Sequence, residues 1–118
     1  MLLWALGMPA RLSATAREAI ESSGSDVFVS AVSVWEIEIK RATGKLRAPA
    51  DLVSRATDAA FAPLPVEWRH GTAAGALPLH HRDPFDRMLV AQAQVEGLTL
   101  VTSDPKIAQY PVAVLAAS

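Results

Sequence analysis

The sequence predicts an α/β fold, a parallel sheet flanked by helices in three layers. Three observations predict it. Short β-type runs alternate with helical segments along the whole chain. The segments between those runs are long enough to form right-handed crossovers, which place strands in parallel. Glycines at 24, 44 and 97, and the pairs Asp83-Pro84 and Asp104-Pro105, fall where one element should end and the next begin. At 118 residues, with 51% hydrophobic and 19% charged residues, the chain has the size and apolar content of a single domain over residues 1–118.

The elements follow in order. Met1 to Leu6 is a short apolar segment. Ser13 suits an N-cap for a helix over Ala14–Ser22, which Gly24 stops. Val27–Val29 is a short strand. Ser33 suits the cap of a helix over Val34–Thr43, with Gly44 at its C′ position. That helix is apolar on two sides, through Val34 and Ile37 on one and Trp35 and Ile39 on the other, which predicts burial on both. A helix is expected over Ala50–Ala60, then a strand at Leu64–Val66 demoted toward a sheet edge by Pro65. Glu67–Leu77 reads as helix, Pro78–Arg82 as loop and Pro84–Glu96 as a strong helix ended by Gly97. Thr99–Thr102 is the clearest strand. A helical turn over Pro105–Gln109 and a last strand over Val112–Leu115 complete the chain.

Several function classes are excluded. With no cysteine there is no disulfide, thiol nucleophile or Cys-type zinc site. The uncharged stretch Met1–Ala10 is about half of the ~20 residues a membrane span needs and lacks a basic n-region, so a cytoplasmic protein is expected. A net charge of −1 argues against a broadly basic nucleic-acid coat, though not against a small basic site. No glycine-rich phosphate loop and no Gly-x-Ser-x-Gly motif is present.

The residues that remain for chemistry are acidic. In an open α/β fold a site forms beyond the carboxyl ends of the strands, where Asp104 follows Thr99–Thr102. Asp104 and Asp83 each precede a proline and suit N-caps, and Asp86 falls at N3 of its helix. Glu36 sits among Val34, Trp35 and Ile37 on a helix expected to be buried. A buried carboxylate needs a partner, which is either Lys40 at i+4 or a metal ion. Glu36, Asp86 and Asp104 come from three separate elements. Gathered together they would repel one another unless a cation sat among them, and all-oxygen ligands favour Mg²⁺ or Mn²⁺. Lys40, Arg41, Lys45 and Arg47 form one basic cluster, and His80, His81, Arg82 and Arg87 a second. They fit either a solvated helix end or a rim for phosphates. Trp4, Trp35 and Trp68 read as core or interface residues.

These residues resemble a known family. Leu2-Leu3-Trp4-Ala5-Leu6, Ser30-Ala31-Val32-Ser33-Val34-Trp35-Glu36-Ile37, Lys40, Gly44-Lys45-Leu46, His81-Arg82-Asp83-Pro84-Phe85-Asp86-Arg87 with Met88 to Ala93, and Leu100-Val101-Thr102-Ser103-Asp104 look like a PIN-domain protein. More narrowly they resemble the VapC-type toxins of type II toxin–antitoxin pairs. The resemblance implies a Mg²⁺- or Mn²⁺-dependent endoribonuclease that cuts RNA. It implies a homodimer neutralised by a cognate antitoxin, and a parallel sheet with the first strand in the middle. Glu36, Asp86 and Asp104 match the family's metal-holding catalytic acids. Asp83 and Thr102 match supporting positions. Lys40, Arg82 and Arg87 match positions suited to substrate phosphates.

The sequence departs from the family at its start. The family opens with a strand ending in a metal-binding aspartate, just before the Leu-Leu-Trp segment, and Met1 lies inside that segment. The central first strand and its aspartate are therefore expected to be missing, leaving a split sheet with open edges. Two accounts follow. Either the native chain starts upstream and supplies the aspartate, or the chain is a catalytically impaired remnant that acts by binding an antitoxin. A plain α/β domain whose acids serve only as caps is the third reading.

Overall fold

The computed structural model describes residues 1–5, 14–23, 27–45, 52–78, 83–102 and 104–116. Five strands form one sheet: β1 (Leu2–Trp4), β2 (Val27–Ser30), β3 (Ala62–Leu64), β4 (Thr99–Thr102) and β5 (Val114–Ala116). Their order is β3-β2-β1-β4-β5, and every pairing is parallel. The helices are α1 (Ala14–Ser23), α2 (Ala31–Ala42), α3 (Leu52–Asp58), α4 (Trp68–Ala76) and α5 (Pro84–Glu96), with a 3-10 turn over Pro105–Gln109.

The expectation of a missing central strand is corrected. Leu2–Trp4 occupies the centre, with Leu3 registered against Phe28 on one side and Leu100 on the other. Its ladder extends through Thr99 N–H to Met1 O and Ala5 N–H to Val101 O. The physical reason lies in three consecutive apolar side chains. A central parallel strand covered on both faces needs no polar alternation, and Leu2, Leu3 and Trp4 are all buried. Leu3 joins Val32, Leu89, Val90 and Leu100 in the core under α2 and α5. Leu2 and Trp4 point the other way, to Ile20 of α1, Val27 and Val101.

Other boundaries shift for local reasons. Helix α2 begins at Ala31 rather than Val34, because Ser30 takes the cap and accepts from Val32 N–H. Ser33 is instead buried in the first turn, and its hydroxyl has no hydrogen-bond partner among the described residues. Burial on both sides of α2 is not found: Val32 and Ile37 are buried, while Trp35 is 60% exposed. Of the tryptophans read as core or interface residues, Trp4 lies in the core, while Trp35 and Trp68 (96% exposed) do not. Strand β3 falls at Ala62–Leu64, on the sheet edge as its prolines predicted. Helix α5 and strand β4 match their expected ranges, and Gly97 ends α5 in the left-handed conformation at φ 68°. Gly44 likewise follows α2 at φ 73°.

A fully buried leucine in a central strand is costly to truncate. Leu3→Ala is expected to lower unfolding stability by about 2–5 kcal/mol, and Trp68→Ala by about 0.5 kcal/mol or less, both measured by urea denaturation. A near-neutral Leu3→Ala would contradict the central placement of β1.

Candidate metal-binding acidic edge

The carboxyl ends of β1, β2 and β4 share one edge of the sheet, since all three strands are parallel. Helix α2 leaves that edge directly from β2. Helix α5 packs against it in the opposite direction: Ser30 meets Gln92, Trp35 meets Phe85, and Lys40 lies near Asp83 and Asp86. The antiparallel pair therefore carries Glu36 and Lys40 on one helix toward Asp83 and Asp86 on the other. Asp104 enters the same edge two residues beyond the end of β4.

Each acid is held by local chemistry. Asp83 caps α5, accepting from Phe85 N–H (2.9 Å) and Asp86 N–H (3.3 Å), with Pro84 in the first turn. This fixes the turn on which Asp86 sits. Asp104 caps the 3-10 turn through Lys106 N–H (2.9 Å). The buried Thr102 hydroxyl accepts from Asp104 N–H (3.2 Å). Glu36 is half-buried and binds Lys40 Nζ at 2.9 Å. Its hydrogen bond, more than any other influence, holds the Lys40 ammonium above the usual lysine range, and the charges of Glu36, Asp83 and Asp86 add to this against partial burial. One cation is thus bound by Glu36 of α2 and lies under the charge of Asp83 and Asp86 at the start of α5.

The remaining expected residues divide. Arg82, with His80 and His81, lies outside the described residues. Arg87 donates from its two terminal nitrogens to Ala74 O, Leu77 O and Pro78 O, which closes the carboxyl end of α4. Those bonds tie it to the fold.

Among the described residues, the one set of three potential metal ligands with ligand atoms within 4.8 Å of one another is Glu67, His70 and Glu96. Glu36, Asp86 and Asp104 are not drawn that close. The Glu67 set lies at the far end of α5. Glu96 is ten residues from Asp86, about 15 Å at 1.5 Å per residue. Glu67 N–H can only donate, and it donates to His70 Nδ1 (2.9 Å), so the ring proton sits on Nε2 and faces Glu96 Oε2 at 3.4 Å. Arg69 meanwhile binds Glu67 Oε1 (2.9 Å) and Glu96 Oε1 (2.8 Å). An ion would have to displace that proton and the guanidinium. The cluster is better explained as a lock between α4 and α5.

Sequence reasoning missed this lock and the buried Ser30–Gln92 pair that meets it. Two signals were present: Glu67 three residues before His70 at a helix start, and Gln92 as the lone polar residue between Leu89 and Ala93.

The profile of the PIN domain family matches residues 1–113. No curated protein matches the chain. Among solved structures, the fold is similar to that of FitAcB from Neisseria gonorrhoeae, with a TM-score of 0.72, 20% identity, and coverage of 99% of this chain and 98% of that one. It is also similar to a toxin–antitoxin complex from Klebsiella pneumoniae, with a TM-score of 0.71, 17% identity, and coverage of 100% and 98%. Among the described residues, no helix is long and apolar enough to cross a membrane.

The raised Lys40 fixes the sign of a pH effect. Its protonated form is favoured by folding, so its contribution is fully present below the ordinary value of 10.5 and is lost as pH rises through the folded value. Urea unfolding of the wild type and Lys40→Met, with chelator present, should give a stability difference that is flat from about pH 8 to pH 10 and shrinks above it. A difference that grows at high pH would contradict the ion pair.

Proposed function

Because the chain belongs to the PIN domain family over residues 1–113, we propose that it is a metal-dependent endoribonuclease, the toxin of a VapC-type toxin–antitoxin pair. The observation that carries this reading is the Lys40 ammonium held by Glu36 and under the charge of Asp83 and Asp86. Those carboxylates form an environment fitted to positive charge. The donor set is all oxygen, which suits Mg²⁺ or Mn²⁺, and Mg²⁺ keeps waters, so ligands spaced along the edge need not all touch it. Glu36, Asp86 and Asp104 would hold the ion.

When bound, the ion supplies an activated water and a counter-charge for the phosphate. The chain's own groups do the rest. Asp83 orients Asp86 by capping its turn, and Thr102 orients Asp104 through its backbone N–H. Lys40, bound to Glu36 and half exposed, would offer its ammonium to an RNA phosphate. Arg82 is proposed as a second phosphate contact. Cytoplasmic location, a homodimer and a cognate antitoxin belong to the same proposal, and the toxin–antitoxin complex among the structural neighbours supports the last.

One observation favours a second reading. Residues 1–5, which form the central strand and its end, carry no carboxylate. An edge without a central acid suits an antitoxin-binding module with weak or no catalysis.

The test is cleavage of single-stranded RNA by the purified chain with Mn²⁺, beside Asp86→Asn. The nuclease reading expects the variant to lose on the order of 10²–10³-fold in rate, the scale of removing one charge-stabilising group. Equal cleavage by both proteins counts against it. Antitoxin binding without cleavage supports the module.

A further inference from the structure

We infer that Gln92 and Ser30 are positioning residues for the acidic edge: their buried hydrogen bond sets how α5 seats against α2, and so how Asp83 and Asp86 stand toward Glu36 and Lys40. The identity of the ion rests on the nuclease reading. The seating does not.

Both side chains are fully buried. Ser30 Oγ accepts from Val32 N–H at 3.0 Å, which leaves its single proton for another acceptor. That acceptor is Gln92 Oε1, at 2.6 Å. Gln92 Nε2 donates to Pro65 O at 3.2 Å and lies 3.4 Å from His70 Nδ1. One amide in the middle of α5 therefore touches the β2–α2 junction, the β3–α4 connection and α4. Its neighbours Leu89, Val90, Ala91 and Ala93 are buried and apolar. Apolar contact is non-directional and tolerates sliding. A hydrogen bond in the dry interior does not, because slippage orphans buried polar groups.

The geometry makes small slips matter. Glu36 lies six residues beyond Ser30 on α2, and Asp86 six residues before Gln92 on α5. At 1.5 Å per residue the acids stand about 9 Å from the clamp on both helices. A slip of α5 by one residue turns Asp86 by about 100° around its axis. The Trp35–Phe85 ring contact, with centroids at 5.1 Å, joins the residues next to Glu36 and Asp86 and reports the seating directly.

The test uses the full chain with Gln92→Met, Ser30→Ala and Ser30→Thr, each checked by circular dichroism to be folded at the assay temperature. Mn²⁺ affinity is read by electron paramagnetic resonance and the Trp35–Phe85 contact by ring-to-ring nuclear Overhauser effects. Gln92→Met and Ser30→Ala should weaken Mn²⁺ binding about tenfold or more and diminish the ring cross-peaks. Ser30→Thr, which keeps the hydroxyl, should hold both near wild type. Lower melting temperatures with wild-type Mn²⁺ affinity and unchanged cross-peaks would overturn the inference and leave the pair a stability element. If the wild type itself binds no Mn²⁺, the metal reading fails, and the cross-peaks alone decide the seating. If Gln92→Met does not fold, the Ser30 pair decides it.

Discussion

Burial of β1 on both faces is the constraint from which the rest of the structure follows. Three apolar residues with neighbours on either side draw β2 and β4 into parallel register. Parallel register puts the ends of these strands on one edge. Helix α2 then starts where β2 stops, and Asp104 follows where β4 stops. Acids that are 68 positions apart, from Glu36 to Asp104, reach one edge through backbone pairing rather than through attraction for one another. Like charges do not gather by themselves. The apolar core under α2 and α5 sets where these two helices stand.

The two ends of α5 treat charge differently. At its start Asp83 and Asp86 meet the favourable end of the helix dipole and the ammonium of Lys40. At its close Glu96 meets Arg69 and the ring N–H of His70. Both ends hold carboxylates, and the second binds them to a guanidinium and a fixed ring proton. Ligand atoms that sit close together therefore mark the poorer metal site here. The proposed site at the start of α5 has wider spacing, Lys40 as its counter-charge and a position beyond the strand ends.

Much of the fold was legible because single residues marked it. Pro84 and Gly97 bracket α5, and the run Thr99–Thr102 has no helical competitor, so both elements matched. Ser30 and Ser33 are both good caps, and local sequence does not choose between them. Tertiary contact does, since Ser30 also reaches Gln92, which lies 62 residues away. β1 was unread because three residues show no periodicity. Trp35 and Trp68 are apolar by type and exposed by position, which no local pattern distinguishes. Asp83 and Asp104 were legible as caps, and the structure shows that role. Nearness of Lys40 to Asp83 and Asp86 was not, because it depends on how two helices pair.

Manganese diffraction tests the central claim most directly. In crystals of the full chain grown or soaked with Mn²⁺, an anomalous peak is predicted beyond the carboxyl ends of β1 and β4, bounded by Glu36, Asp86 and Asp104. A peak seated instead among Glu67, His70 and Glu96, or none at saturating Mn²⁺, would contradict the account.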